Sequence, residues 1–152
     1  MPTYDHLFDD LAMAMRMDDY DSTSWLDTVE AKFILLSFNP DVDLREPRDN
    51  APEWQREQYA LALRIVADPE RYRRVEGSGT PGRLRAFLRS IDDHDLRADL
   101  EDAARGGRGA YRRVRGVLQR RGIEQLWFDF EKAADREMVL EWLEDQGLIE
   151  QE

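Results

Sequence analysis

Seven arginines and no acidic residue lie between Ala103 and Ile123, in a chain of 152 residues whose formal net charge is −11. Their spacing matters as much as their number. On an α-helix turning about 100° per residue, Arg108, Arg112 and Arg115 fall in line with Gln119, and Arg113 and Arg120 flank that line. Ala110, Tyr111, Val114, Val117 and Leu118 share an apolar face that would fix the helix to a core. A guanidinium presents a planar fork of donors that matches carboxylate and phosphate. Gly107-Arg108-Gly109 adds backbone N–H groups and the positive end of the helix dipole. The chemistry expected of Arg108, Arg112, Arg113, Arg115 and Arg120 is therefore binding of an acidic protein partner or of a phosphate. Against it stands the ordinary reading that these arginines pair with Asp99, Glu101, Asp102 and other carboxylates as a solvated face. The run lacks the GxxxxGK-Ser/Thr pattern of a phosphate loop.

Other chemistries find little support. There is no cysteine, which removes disulfides, thiolate metal sites and Cys nucleophiles and fits a cytoplasmic protein. His6 and His94 each stand alone among aspartates, and Ser22, Ser24, Ser78 and Ser90 lack the setting of an activated nucleophile. Asp19, Asp21, Thr23, Trp25, Asp27 and Glu30 match the spacing of a calcium loop, but Ser24 occupies the place that needs glycine, so the match is read as an accident. With 33 Asp and Glu residues, adjacency of carboxylates says nothing about acid–base catalysis. No catalytic residue, metal or cofactor is expected, and the chain is read as non-enzymatic. No stretch approaches the roughly 20 apolar residues of a spanning helix, and the N-terminus has no leader pattern, so no membrane association is expected.

The elements that would carry the arginines follow from periodicity. Tyr4, Leu7, Phe8, Leu11 and Met15 mark an amphipathic helix from about Asp5 to Met17. SWLD and KFILLSF flank TVEA as a β-hairpin at about 24–38, and the second strand, apolar on both faces, is expected to be central or covered. RYRRVE offers a further strand at about 71–75. A helix is expected from Glu53 to Ala67, then a flexible linker in EGSGTPG at about 76–80. Two shorter helices follow, around Leu84–Ile91 and Leu96–Leu100, then the arginine helix ending at Gly122. The last helix runs from about Glu124 to Gln146. The expected fold is α+β, one domain over 1–152, with a small antiparallel sheet packed by five or six helices.

The last helix carries Leu126, Trp127, Phe130, Ala133 and Ala134 on one face, whereas Phe128, Val139, Trp142 and Leu143 point nearly opposite. Either it bends near Asp135 or two faces are buried. In a small domain the second case suggests an interface built on Phe128, Val139, Trp142 and Leu143, with a second copy as partner.

The run Gly107-Arg108-Gly109-Ala110-Tyr111-Arg112-Arg113, the following Val117-Leu118, Trp127 and Phe130, and the ending Glu141-Trp142-Leu143 before Gly147-Leu148 resemble the uncharacterised bacterial protein family 0158. Trp25-Leu26-Asp27 and the hairpin after it are similar to the family's YLDLETGEV segment. Ala31 stands where that turn has glycine, and Val114 and Gly116 where Phe and Asp are usual. The resemblance implies kinship, not an activity. The function expected is an interaction or regulatory domain contacting a protein partner through the arginine helix and the C-terminal helix. The alternative is a phosphate-recognising module for RNA, DNA or a nucleotide.

Overall fold

The computed structural model describes residues 3–17, 21–77 and 79–150. Asp19 of the calcium-like pattern and Ser78 of the expected linker lie outside them. The fold is α+β, and the chain divides into two compact units, 1–79 with 138–152 and 80–137. The passage between them near residue 79 falls within the glycine-rich segment EGSGTPG.

In the first unit a 3₁₀ turn, Asp5–Leu7, leads into α1, Phe8–Arg16; then come β1, Thr23–Asp27, β2, Lys32–Leu36, α2, Glu53–Ala67, and β3, Tyr72–Val75. The strands form an antiparallel sheet in the order β2-β1-β3, with Trp25 opposite Ile34 and Arg74, and Leu26 opposite Phe33 and Arg73. Alternation along β1 then sends residues to two cores. Leu26 and Val75 pack with Leu7, Leu11 and Met15, while Trp25, Leu36 and Tyr72 pack with Ala62 and Ile65 of α2. The central strand is β1 rather than β2. Being an edge, β2 leaves Leu35 exposed although its sequence is apolar on both faces.

Asp27 explains why the hairpin turns where it does. Its Oδ1 accepts the N–H groups of Val29 at 3.0 Å and Glu30 at 3.1 Å, and Arg71 donates to both carboxylate oxygens at 3.0 and 2.9 Å. Such a carboxylate supplies the local bonds of an Asx turn. Ala31 closes the turn at φ 53°, in the left-handed region that favours glycine. His6 Nε2 donates to the Ala31 carbonyl at 2.9 Å. At the end of β3, a Cβ on Gly77 would lie 1.4 Å from the Met17 carbonyl oxygen, so only glycine allows that approach.

The second unit is helical: α3, Arg83–Ser90, α4, His94–Ala104, α5, Ala110–Arg120, and the first part of α6, Gln125–Asp145. Asp93 caps α4 by accepting the N–H groups of Asp95 and Leu96. The core gathers Phe87, Leu100, Val114, Leu118 and Trp127, with the rings of Phe87 and Trp127 edge to face at 5.1 Å. Residues of α6 up to Glu137 belong to this unit, and those from Met138 to the first.

Candidate interaction surface

The helix that carries the arginines begins at Ala110, so Arg108 is not one of its rungs. It sits in a loop whose glycines Gly106, Gly107 and Gly109 all have positive φ, between 69° and 92°. The backbone N–H groups of Arg108 and Ala110 are already bonded, to the carbonyls of Gly106 and Gly107. Part of the donor set expected for an anion is therefore engaged by the loop itself.

Arg113 does not face a ligand. Its Nε donates to the carbonyl of Ala103 at 2.7 Å, Nη1 to that of Arg108 at 2.8 Å and Nη2 to that of Arg105 at 2.6 Å. Ala103 and Arg105 lie at the C-terminal end of α4, where carbonyls lack intrahelical partners and a cation is favoured. The whole guanidinium fork is used to close the loop between α4 and α5. Arg113 is thereby corrected from a recognition residue to a structural clamp.

Arg115 holds an intermediate position. It donates to the Tyr111 hydroxyl at 2.9 Å and pairs with Glu124 at 3.0 Å, and its guanidinium lies 5.7 Å from the Tyr111 ring centre and 5.0 Å from that of Phe128. The hydrogen bonds to Tyr111 and Glu124 raise its pKa above the ordinary value, so it stays a cation. Elsewhere the internal pairing expected for a solvated face is present: Arg121 pairs with Asp99, and Arg105 with Asp102 at 3.5 Å. Arg108, Arg112 and Arg120 are exposed and make no side-chain hydrogen bond or ion pair among the described residues. The arginines thus fall into three groups: a clamp, internally paired cations, and three that face water alone.

Beside them lies apolar surface. Tyr111 is 46% exposed and Phe128 43%, and both rings contact the Arg115 guanidinium. Tyr111 turns only partly toward the apolar face of the helix. One edge meets Trp127, with ring centres 5.4 Å apart, and the rest is open. The signal in the sequence was the i, i+4 spacing of Tyr111 and Arg115, which sets a ring under a cation.

The interface expected from α6 is not assembled. Val139 and Leu143 are fully buried in the core of the first unit with Leu11 and Leu26, and Trp142 packs partly buried against the same core. Phe128 belongs to the second unit. Both faces of α6 are apolar because its two parts serve different cores, so the surplus attributed to a partner is absorbed within one chain. Val139 and Leu143 are accordingly corrected to core residues.

No family model, no curated protein and no solved structure matches the chain. Among the described residues no cluster of three or more metal-ligating side chains occurs, and no helix is long and apolar enough to cross a membrane. In place of the ligand loop suggested by spacing, Trp25 and Asp27 are strand residues and Asp27 is filled by Arg71 and two backbone N–H groups.

Proposed function

We propose that this protein is a non-enzymatic interaction module of the cytoplasm, related to uncharacterised protein family 0158, that engages an acidic protein partner through the exposed face of α5 and the start of α6. The observation that carries it is the juxtaposition of two half-exposed rings, Tyr111 and Phe128, with Arg115 and with the unpaired Arg112 on the same helix. Tyr, Phe and Arg are the residues enriched where partners are gripped, whereas a face meant only for solvent gains nothing from open rings. Charge distribution supports an acidic partner. The first unit has nine basic and 22 acidic residues, net −13, and the second has 13 basic and 11 acidic, net +2. A second copy of the chain, offering its acidic unit, meets the same description.

A photo-crosslinking residue at position 112 in cells, with one at Glu57 as control, tests the reading. A protein adduct specific to position 112, lost on Tyr111→Ser with Phe128→Ser, is the expected result; adducts equal at both positions would refute it. The unpaired Arg108, Arg112 and Arg120 favour a second reading, a phosphate-recognising module. Its signature is nucleic-acid affinity falling with salt at a log–log slope near −0.9 per duplex phosphate contacted, about −3 for three arginines.

A further inference from the structure

The edge strands of a sheet carry a row of backbone groups without partners, and the two edges of this sheet are not equally protected. β3 has Arg73 and Arg74 among its four residues, whereas β2, KFILL, has its one charged residue at the end and no proline. Which groups of β2 are open follows from the register. The Thr28 N–H donates to the Arg71 carbonyl at 2.9 Å, so alternation along β1 turns the backbone groups of Ser24 and Leu26 toward β3 and those of Thr23, Trp25 and Asp27 toward β2. The residues opposite these last three are Leu36, Ile34 and Lys32. The N–H and C=O groups of Phe33 and Leu35 therefore lie on the open side of β2, where they have no partner among the described residues.

Both ends of this open stretch are closed. His6 Nε2 donates to the Ala31 carbonyl at 2.9 Å, and the Ser37 N–H donates to Gln58 Oε1 at 3.1 Å. What is left, on Phe33 and Leu35, is a pair of donors and a pair of acceptors. In an antiparallel ladder the two residues of a bonded pair exchange both their hydrogen bonds. A second β2 centred on Ile34 sets Phe33 opposite the partner's Leu35 and Leu35 opposite the partner's Phe33, and every open group on both strands is used. A shift of two residues either way brings in Ala31 or Ser37, each with a group already bonded. The side chains agree with that register. Phe33 and Leu35 share the face turned to α1, where with Met13, Met17 and Val75 they line a cleft of about 540 Å³. Leu35, Met13 and Met17 are all exposed there.

We propose that β2 pairs with the β2 of a second copy of the chain about a two-fold axis at Ile34, joining two three-stranded sheets into one continuous sheet. What favours a second copy over a strand of another protein is the self-matching edge: its open groups are bounded on both sides, and the one register that uses them all sets apolar Phe33 against apolar Leu35, the kind of cross-strand pair that stabilises a sheet. The first unit has a net charge of −13, so two copies repel at a distance. The paired strands themselves add little to that repulsion, since their one charge, Lys32, is paired with Glu30 at 3.2 Å. Salt screens the repulsion and strengthens this contact, the opposite of its effect on binding through the arginines of α5. The pairing is independent of that arginine surface.

The test is light scattering on the full-length chain across a dilution series, with hydrogen exchange read at single amides. A dimer is expected at high micromolar concentration, dissociating on dilution and strengthened by added salt. The Phe33 and Leu35 amides should be protected in the concentrated sample and exchange freely in the dilute one, while those of Ile34 and Leu36, bonded to β1, stay protected in both. Leu35 is 59% exposed, so Leu35→Lys should keep the native circular dichroism. It should raise the dissociation constant about a hundredfold, about tenfold for each copy of the side chain. Arg112→Glu should leave the dimer intact. A native chain that stays monomeric, a dimer whose Phe33 and Leu35 amides exchange as freely as in the dilute sample, or a dimer that salt dissociates would each overturn the proposal.

Discussion

Arg113 and Arg112 are neighbours in an arginine run that looks uniform, yet the structure gives them opposite roles, and substitution should separate them. Arg113→Met removes three hydrogen bonds of 2.6–2.8 Å to the carbonyls of Ala103, Arg105 and Arg108. A charged hydrogen bond is worth roughly 1.5–3 kcal/mol when shielded, but these carbonyls are near solvent and water replaces part of what is lost, so a net value near 0.7 kcal/mol each is appropriate. The sum is about 2 kcal/mol, with the loop 105–109 freed from the end of α4. Arg112→Met removes a side chain that is exposed and without a partner among the described residues, and should stay within about 0.5 kcal/mol of the native chain. Arg113→Lys keeps the charge but replaces the fork by a point donor, and should recover no more than a third of the loss. Urea unfolding followed by circular dichroism gives the energies, and hydrogen exchange over residues 103–112 gives the location. Equal costs for Arg112→Met and Arg113→Met would refute the division of the arginines. So would an Arg113→Met chain with native exchange in that loop.

Three further outcomes follow from residues outside the arginine helix. Burial raises the pKa of Asp27, but hydrogen bonds from Arg71 and from the N–H groups of Glu30 and Val29 outweigh it and leave the carboxyl below its ordinary value. The native state thus binds fewer protons there than the unfolded state. Its stabilisation is complete above the unfolded value, near pH 4, and is lost as pH falls through the lower native one. Acid titration of stability should show a smaller loss in Asp27→Asn than in the native chain, and at neutral pH the substitution should itself cost about 1–2 kcal/mol, since it loses the charge-assisted bonds to Arg71, whose side chain is 30% exposed and open to water. Ala31→Gly relieves a left-handed alanine at φ 53°; against the small loss of its buried Cβ, a gain of about 0.5–1 kcal/mol is expected in thermal melts. Leu143→Ala should cost about 3 kcal/mol as a core cavity, while light scattering shows the same oligomeric state as the native chain. Dissociation of an oligomer by that substitution would restore the interface reading.

Much of the fold was legible because local patterns determined it. The hairpin at 24–38 and the strand at 71–75 appear as β1, β2 and β3, and the alternation that marked them is the one that divides Leu26 from Trp25 between two cores. Strand order was not legible. KFILLSF is apolar on both faces, a pattern suited to a central strand, but β3 pairs with β1 from a distance of over 40 residues and so makes β1 the centre. Nothing local to β2 records that event. The arginine surface was legible as a charge run but not as a set of roles. Whether a guanidinium meets water or three carbonyls depends on the turn formed by Gly106, Gly107 and Gly109, which brings the end of α4 back to Arg113.

The C-terminal helix shows why periodicity alone did not place Val139 and Leu143. An apolar stripe identifies a buried face only if one core lies beside the helix along its whole length. A helix of 21 residues is about 31 Å long, comparable with the diameter of a small domain, and α6 changes units between Glu137 and Met138. Trp127 enters the core containing Phe87 and Val114, whereas Val139 and Leu143 enter the one containing Leu11 and Leu26. Two stripes nearly opposite each other then require neither a bend nor a second molecule. Left outside either core are Leu126 and Phe128, both about two-fifths exposed, and Phe128 lies beside Arg115. Once Val139 and Leu143 are assigned to the interior, the apolar surplus of α6 contracts to Leu126 and Phe128, and the proposed interaction surface moves from the end of α6 to its beginning.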